Sequence, residues 1–427
     1  MAAAAPAPAP VVFLHGIFGS TLVDRDSGRV EYVTVGGSAG LSTPDVRLPM
    51  EWEGGGEGGD EPTQRRDRLV AGNVIEKVGP VSVYGKFLGW LRSTIGAGLV
   101  HPFAYDWRRD NRESADRLVA ALEKIGKEHD SPPIVIGHSN GGIVAFLALN
   151  KRPELFHSVI FVGTPFGPGF GFMHDLHSFN QIGFNKSILS AHVLISHPSY
   201  SYFFGSGDQK RDQEFWPKPG PGRLPAVKNI FDAREWKENK LSVYSMPEPP
   251  GFKLDSKFET HLQNSLRAGK AVRDLIVHNP NVTYPPIAVV ASKSHKTRST
   301  LHLNPVKPID GARRDTSCSM SSNILVWEYQ DGDNRVSFQN ALPPPGVPVA
   351  GGVVETSHSH GELLNDTKAM VEALIGVYKA RRVPSTKSSE SGNEIKFEDD
   401  FSTVPESVLK AAQATKNSQA RSMCIVS

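Results

Sequence analysis

The feature that most constrains the fold is a glycine-flanked serine between an apolar run and a helical pattern. Residues 137–142 read GHSNGG, which matches the pattern G-x-S-x-G, and the apolar run Ile134–Ile136 precedes them. In that pattern the serine sits on a tight turn from a strand into a helix, where larger neighbours would clash with either element. A second match at residues 36–40 is followed by LSTP, which cannot continue as a helix. We therefore predict that Ser139 is a nucleophile and that Ser38 lies in a loop.

Strands and helices alternate on both sides of this serine. Short apolar runs are separated by segments of helical periodicity between Val11 and Pro165. The predicted strands are Val11–Leu14, Leu99–Tyr105, Pro132–Ile136 and Ser158–Val162, and the predicted helices are Tyr84–Ser93, Asn111–His129 and Gly141–Asn150. This alternation is typical of the α/β class, with a mostly parallel sheet and helices on both faces.

The chain is predicted to divide into a core, an inserted cap, a return to the core and a tail. These parts are residues 11–165, 166–281, 282–382 and 383–427. The sheet pattern resumes at Ile287–Val290 and Ile324–Trp327, followed by a helix over Asp366–Ala380. The Ser-, Lys- and Glu-rich tail is predicted to be disordered, with one short helix after the capping box Thr403–Glu406.

Residues 24–80 interrupt the alternation of strands and helices in the core. They are either a lid or a solvated insertion, and the acidic, glycine-rich stretch Glu53–Asp60 favours the solvated insertion.

Composition excludes several classes of protein. Basic residues number 47 and acidic residues 45, so a net charge of +2 gives no electrostatic signal for nucleic acid. The two cysteines, Cys318 and Cys424, cannot form a disulfide scaffold. No apolar run reaches the ~18 residues that span a bilayer, and the opening MAAAAPAPAP lacks the basic region of a signal peptide. The expected compartment is the cytosol.

The turn after the first strand supplies candidate donors for an oxyanion hole. Residues 15–20 read HGIFGS, and a turn of this kind can direct a backbone N–H at a developing negative charge. The expected donors are the N–H groups of Ile17 and of Asn140, which follows the nucleophile.

The acid and base of a triad are expected downstream, in the order serine, carboxylate, histidine. Residues 331–336 (DGDNRV) carry Asp331 and Asp333 at a strand end, and residues 357–360 (SHSH) carry His358 and His360 before a helix. We predict that His360 takes the proton from Ser139 and that Asp333 orients and stabilises its imidazole. Asp331 and His358 remain alternatives. No ligand set with zinc spacing accompanies the two histidines, so neither a metal nor a cofactor is predicted.

Several motifs together resemble the lecithin:cholesterol acyltransferase-like family, which includes lysosomal phospholipase A and the phospholipid:diacylglycerol acyltransferases. The segments are HGIFGS (15–20), PFAYDWR (102–108), GHSNGG (137–142), GTPF (163–166), YPPI (284–287), DGDNRV (331–336) and HGELL (360–364). The resemblance covers residues 11–380 and implies an α/β-hydrolase fold with an inserted cap. Residue by residue it implies the triad Ser139, Asp333 and His360, and it favours Asp333 over Asp331.

The chain departs from the family pattern in three respects. His15 stands where the family usually has proline, and Asn334-Arg335 replace the Gly-Thr that usually follows the acid. The signal peptide and lid disulfide of secreted members are missing. These differences bear on the compartment and the acyl acceptor.

The resemblance implies a serine-dependent phospholipase or O-acyltransferase that cleaves glycerophospholipid acyl esters through an acyl-serine intermediate. The alternatives are a neutral-lipid or small-ester lipase, and a catalytically inert, membrane-tethered binding protein of the same fold. Five phenylalanines in the cap are interpreted either as a lipid-facing surface or as buried packing. They are Phe166, Phe170, Phe172, Phe179 and Phe184.

The last four residues, Cys424-Ile425-Val426-Ser427, match a C-a-a-X box of the farnesyl type. One lipid chain binds membranes only marginally, so a second contribution is needed, and Lys410, Lys416 and Arg421 are a weak basic supplement. The expectation is a peripheral protein anchored by a prenyl group at Cys424 on the cytosolic face of a membrane. The sequence predicts no oligomeric state.

Overall fold

The computed structural model describes residues 6–50, 67–169, 171–204, 218–219, 227, 229–304, 311–316, 321–381 and 401–425. The strands within these residues are β1 (Val11–Leu14), β2 (Ser20–Asp24), β3 (Val30–Tyr32), β4 (Leu69–Val74), β5 (Lys77–Val78), β6 (Val81–Ser82), β7 (Val100–Phe103), β8 (Ile134–His138), β9 (Ser158–Val162), β10 (Lys218–Pro219), β11 (Ile287–Ser292), β12 (His295–Leu303), β13 (Arg313–Arg314), β14 (Leu325–Gly332) and β15 (Gly352–Thr356).

Helices occur between these strands and after the last of them. The α-helices of the described residues are α1 (Val35–Ser38), α2 (Gly85–Ile95), α3 (Asn111–Glu128), α4 (Asn140–Lys151), α5 (Gly171–Leu176), α6 (Ala191–Leu194), α7 (Ala233–Glu238), α8 (Ser256–Leu275), α9 (Thr367–Ala380) and α10 (Glu406–Ile425). Short 3-10 helices cover Ala97–Leu99, Pro153–Leu155, Pro198–Phe203, Ser242–Ser245, Gln339–Ala341 and His360–Asn365.

The centre of the molecule is a six-stranded parallel sheet with the order β15-β11-β9-β8-β1-β7. Because side chains alternate along a strand, each strand contributes to both faces of the sheet. Val12, Leu14 and Val135 pack with α3, α4 and the cap, whereas Val11, Phe13 and Ile136 pack with α2, α9 and α10. The protein therefore has the α/β-hydrolase fold, and the predicted fold class is confirmed.

The carboxyl ends of the central strands position the candidate site. Parallel strands expose their carboxyl ends at one edge, which is where open α/β sheets bind ligands. β1 ends at Leu14, immediately before the HGIFGS turn, and β8 ends at His138, immediately before Ser139. Helix α4, which follows Ser139, is buried from Asn140 to Leu149, so the serine stands at the base of a helix enclosed by the core.

The prediction of a lid or solvated insertion over residues 24–80 is wrong for its described parts. Strands β2, β3 and β4 form an antiparallel sheet. Tyr32, Val46, Leu48 and Leu69 are buried, because this sheet packs on the core. The acidic stretch Glu53–Asp60 lies outside the described residues.

The return to the central sheet differs from the prediction. β11 joins the central sheet as expected, but β14 pairs antiparallel with β12 in a second sheet of the order β10-β12-β14-β13. The segment that leads into β14 contacts the cap, since the Ser322 N–H donates to the Ser245 carbonyl at 2.8 Å. The strand that completes the central sheet is β15, which the sequence analysis did not predict.

In the described part of the tail, residues 401–425, the helix predicted after the capping box is confirmed, and the prediction of disorder is wrong. Helix α10 begins at Glu406, at the end of the predicted capping box. Val404 and Val408 are buried in the cluster formed with α2 and α9, so this segment packs on the core. Residues 382–400 lie outside the described residues.

The cap phenylalanines divide between the two interpretations. Phe166 and Phe172 are buried, Phe179 is half-buried, and Phe184 is 85% exposed. Phe170 lies outside the described residues. Aromatic packing therefore accounts for Phe166 and Phe172, and only Phe184 of the described four presents its ring to solvent.

Candidate active site

Ser139 has the strained backbone that its motif requires. Its φ is +53° and its ψ is −125°, a conformation that residues with a side chain rarely adopt. The surrounding glycines allow it, because a Cβ on Gly142 would overlap Thr164 Oγ1 and one on Gly141 would overlap the His15 carbonyl oxygen. The strand-to-helix turn is thus packed so closely that Ser139 is held at one position.

His360 and Asp333 form the acid–base pair of the site. His360 Nδ1 lies 2.7 Å from Asp333 Oδ2, and the His360 backbone N–H donates to the Asp333 carbonyl at 2.8 Å. The other carboxylate oxygen accepts from the N–H groups of Arg335 and Val336 at 2.8 and 2.7 Å. Burial raises the pKa of Asp333, but the His360 ring and these two N–H groups more than offset it, so the pKa lies below its ordinary value.

This pair lies at the carboxyl end of the strands beside Ser139. A Cβ on Gly163, the residue after β9, would lie 3.1 Å from Asp333 Oδ2 and 3.2 Å from His360 Nδ1. The Ser139 N–H donates to the carbonyl of Val162, the last residue of β9, at 2.9 Å. Among the described residues the structure gives no hydrogen bond between the Ser139 hydroxyl and His360. Such bonds often tighten only in the substrate complex.

The two alternative residues lie elsewhere. Asp331 is exposed and binds the Lys296 ammonium at 2.6 Å. His358 Nδ1 lies 3.1 Å from Thr356 Oγ1 and 3.5 Å from Asp366 Oδ2. Neither contacts the pair formed by Asp333 and His360, so the geometry favours that pair over the alternatives.

The turn of residues 15–19, called the β1 loop below, lies against the serine. A Cβ on Gly16 would be 2.9 Å from Ser139 Cβ. Within the described part of the chain, the backbone N–H groups of Ile17 and Asn140 have no hydrogen-bond partner. Both predicted donors are therefore free to bind a developing oxyanion.

The Tyr-Asp-Trp-Arg motif supports the β1 loop. The Tyr105 ring stacks on His15 at 4.3 Å, and the Tyr105 hydroxyl donates to the His15 carbonyl at 2.8 Å. The Tyr105 N–H donates to His15 Nε2, which leaves Nδ1 to donate to the Gly16 carbonyl at 2.7 Å. Burial lowers the pKa of His15 to about 4, so the ring is neutral. His15 thus fixes the loop through both ring nitrogens.

Arg108 of the same motif is fully buried and ties the antiparallel sheet to the core. Its guanidinium donates to Asp106 at 2.7 Å and to Asp67 at 2.6 Å. Trp107 Nε1 donates to the Ser20 carbonyl at 3.1 Å. The motif thus holds β2 and the β1 loop in place.

The sequence analysis missed two residues of the site, Tyr84 and His138. Tyr84 Oη lies 2.9 Å from the Gly16 nitrogen and 3.0 Å from His138 Nδ1, while His138 Nε2 lies 3.0 Å from the His360 carbonyl oxygen. From the sequence, only the position of His138 next to Ser139 could have indicated a role in the site. Tyr84 is distant in sequence and was predicted only as the start of a helix.

Three observations concern metals, membranes and the C terminus. Among the described residues no group of three or more His, Cys, Asp or Glu side chains could hold a metal ion. No helix in that part of the chain is long and apolar enough to cross a bilayer. The side chain of Cys424 lies outside the described residues, so its lipidation stays a prediction.

No model of a known protein family matches the chain. A curated protein of Saccharomyces cerevisiae, the uncharacterized protein YJR098C, is 24% identical over 425 residues. The alignment covers 87% of this chain and 62% of that protein, so the chain spans less than two thirds of its relative.

Solved structures are similar at lower sequence identity. A chain of the Tle4–Tli4 complex matches with a TM-score of 0.56 at 13% identity, covering 88% of this chain and 99% of that chain. A structure of a mutant of the N-acyl homoserine lactonase AidH covers 67% of this chain and 71% of that chain, with a TM-score of only 0.24 at 13% identity. The first similarity is one of fold, which extends over nearly the whole of the matched chain.

Proposed function

We propose that this protein is a serine-dependent hydrolase or acyltransferase of lipid esters, with Ser139, His360 and Asp333 as its catalytic triad. The observation that carries the proposal is the 2.7 Å contact between His360 Nδ1 and Asp333 Oδ2 at the strand edge where Ser139 occupies its strained turn. A nucleophile, a base and an orienting carboxylate at one edge are the elements that acyl transfer requires.

The proposed mechanism follows from the hydrogen bonds. His360 binds Asp333 through Nδ1, which leaves Nε2 to take the proton from the Ser139 hydroxyl as the oxygen attacks the ester carbonyl. The N–H groups of Ile17 and Asn140 stabilise the tetrahedral oxyanion. The imidazolium returns its proton to the leaving alcohol, which leaves an acyl-serine. Because its pKa is held low, Asp333 stays ionised and stabilises the imidazolium throughout.

The substrate class rests on the resemblance to the lecithin:cholesterol acyltransferase-like family. We propose a glycerophospholipid acyl ester, with water or a lipid alcohol as the acceptor. The support is that four of the seven matching segments form the β1 loop, the serine turn and the acid–base pair. The motif around Tyr105, the most family-specific of the segments, supports the β1 loop.

The test compares Ser139→Ala with Ser38→Ala, its counterpart in the second G-x-S-x-G match. We expect Ser139→Ala to abolish fluorophosphonate labelling and acyl release from phospholipid vesicles, because it removes the nucleophile. Ser38→Ala should retain both activities. Labelling that persists in Ser139→Ala would contradict the assignment.

The products and a substrate panel distinguish the proposal from its alternatives. Free fatty acid indicates water as the acceptor, and an acyl ester formed with added alcohol indicates transfer. Cleavage of triacylglycerol or short esters without phospholipid cleavage would instead indicate a neutral-lipid or small-ester lipase. A wild-type protein that is never labelled would indicate an inert binding protein.

Attachment to cytosolic membranes through Cys424 is a further proposal, which an unchanged membrane fraction in Cys424→Ser would refute.

A further inference from the structure

Three loops of the candidate site are joined by one chain of hydrogen bonds. The Gly16 N–H donates to Tyr84 Oη at 2.9 Å, and Tyr84 Oη lies 3.0 Å from His138 Nδ1. His138 Nε2 lies 3.0 Å from the carbonyl oxygen of His360. The chain thus runs from the β1 loop, through the residue before the nucleophile, to the backbone of the base.

The two ends of the chain fix the direction of every hydrogen bond. A backbone N–H can only donate and a backbone carbonyl can only accept. His138 Nε2 must therefore carry a proton and donate to His360. Burial lowers the pKa of His138 to about 3, so its ring is neutral and Nδ1 is an acceptor. The Tyr84 hydroxyl consequently donates to Nδ1 while it accepts from Gly16.

We propose that Tyr84 and His138 form a positioning relay that sets the β1 loop and His360 relative to Ser139. Both side chains are buried, and Tyr84 is held edge-on by Phe13 of β1 at 5.0 Å between ring centroids. His138 cannot act as a second base, because its Nε2 is occupied by the His360 carbonyl. Gly16 precedes the oxyanion donor Ile17, so a shift at Tyr84 would move that donor.

The relay rests on the proposed function, since what it positions is the oxyanion donor and the base. A misplacement of about 1 Å costs roughly 100-fold in rate. Loss of the Tyr84 hydroxyl is therefore expected to lower kcat on an acyl ester by about 10- to 100-fold with little change in KM.

The side chain of His138 can be replaced so that each bond is lost separately. In His138→Gln the amide can donate from the position of Nε2, which retains the His360 bond and loses the Tyr84 bond. In His138→Asn the amide oxygen can accept at the position of Nδ1, which retains the Tyr84 bond and loses the His360 bond. We expect both variants to be more active than His138→Leu, which loses both bonds.

The relay also predicts that losses do not add. Tyr84→Phe and His138→Gln break the same bond between these two residues, so the double variant should be no more than about threefold worse than the worse single variant. The control is His157→Gln, which removes another buried imidazole at the amino end of β9, away from Ser139. It should lower thermal stability with kcat unchanged.

Two outcomes would overturn the relay in an active enzyme. One is a kcat within about twofold of wild type for both Tyr84→Phe and His138→Leu. The other is a loss of activity that tracks thermal stability in the same way as in His157→Gln. Failure of the wild type to hydrolyse esters or to label would instead refute the proposed function.

An NMR measurement that does not depend on activity tests the relay even if the wild type is inactive or a variant fails to fold. Long-range proton–nitrogen NMR of the full chain with labelled histidine reports which ring nitrogen carries the proton, and His138→Gln assigns the signal. We expect His138 to be a neutral ring protonated at Nε2 down to about pH 5, because burial holds its pKa near 3. Its Nδ1 signal should shift in Tyr84→Phe. A charged ring, a proton on Nδ1 or an unshifted Nδ1 would overturn the relay.

Discussion

The turn at Ser139 depends on how closely three segments approach one another. Its strained φ of +53° persists because β8, α4 and the residue after β9 leave no space for the turn to relax. The space is smallest at Gly142, where an added Cβ would overlap the side chain of Thr164. The rigidity of the nucleophile is therefore a property of glycines that take no part in the chemistry.

We predict that Gly142→Ala lowers the free energy of unfolding by about 1–3 kcal/mol, as expected for overpacking. The reason is that the added Cβ would overlap Thr164 Oγ1. Urea unfolding measures the change, and the double variant Gly142→Ala/Thr164→Ala should recover part of it. The control is Gly89→Ala in α2, where a Cβ meets nothing within 4 Å and stability should rise by about 0.5–1 kcal/mol. Equal effects of the two single variants would contradict this account.

At the residue scale, a chain-order rule narrowed the candidates for the acid and the base. Because these groups follow the nucleophile Ser139 at strand ends, the rule led to Asp333 and His360 and left Asp331 and His358 as alternatives. The link from Tyr84 through His138 could not be predicted. Two of its partners are backbone groups, of Gly16 and His360, and backbone groups leave no trace in side-chain identity.

At the scale of elements, an ion pair joins the cap to the loop of Asp333. Asp175 on α5 is buried and accepts from Arg335 at 2.6 Å, and the Arg335 guanidinium lies over the Phe172 ring at 4.6 Å. Burial raises the pKa of Asp175, but the Arg335 charge outweighs this effect and lowers the net value. The Arg335 backbone N–H also donates to the Asp333 carboxylate at 2.8 Å, so Arg335 connects α5 with Asp333.

We predict that Asp175→Asn lowers the free energy of unfolding by roughly 2–4 kcal/mol, somewhat less than for a fully buried pair. The reason is that the Arg335 charge would then be left without its counter-ion in a largely desolvated position. Lys296→Met breaks an exposed pair of the same 2.6 Å length with Asp331 and should change stability by less than ~1 kcal/mol. Chemical denaturation distinguishes the two, and a change below ~1 kcal/mol in Asp175→Asn would refute the role of the ion pair.

Hydrophobic periodicity predicted where the strands and helices of the core lie. It did not predict which strand pairs with which, or which helix packs on the core, because periodicity carries no information about these neighbours. Val11–Leu14 and Ser158–Val162 form strands as predicted, because short apolar runs between turns are typical of buried strands. The run at Leu325 is just as apolar, but it belongs to the antiparallel sheet. Likewise, Val404 and Val408 are too few to predict that α10 packs on the core.

At the scale of the whole molecule, the structure buries many neutral histidines. Burial lowers the pKa to about 3 for His138, His157 and His197, and to about 4 for His15, His177 and His192. Unfolded imidazoles bind protons as the pH falls through about 6.5. Between these values the unfolded state binds more protons than the folded state, so acid favours unfolding.

We therefore predict that stability is constant above about pH 7 and declines as the pH falls below about 6.5. One pH unit below this value, each of these histidines lowers the free energy of unfolding by on the order of 1 kcal/mol. The sum over several histidines is large, since the whole free energy of unfolding is typically about 5–15 kcal/mol. Calorimetry between about pH 8 and pH 5 measures the change in Tm. His157→Gln should be less stable at the upper end of this range but show a shallower decline, and a Tm that is constant throughout would contradict the prediction.

The strand order has a consequence for the growing polypeptide. The first part of the chain contains β7, β1, β8, β9 and Ser139, but the free edge of β9 is paired only when β11 arrives from the second part, followed by β15 on β11. Until then β9 is an open edge, at which a nascent chain is prone to aggregate. His360 follows β15. The proposed nucleophile thus precedes its proposed base, which is among the last core residues to leave the ribosome, so an incomplete chain would lack the proposed triad.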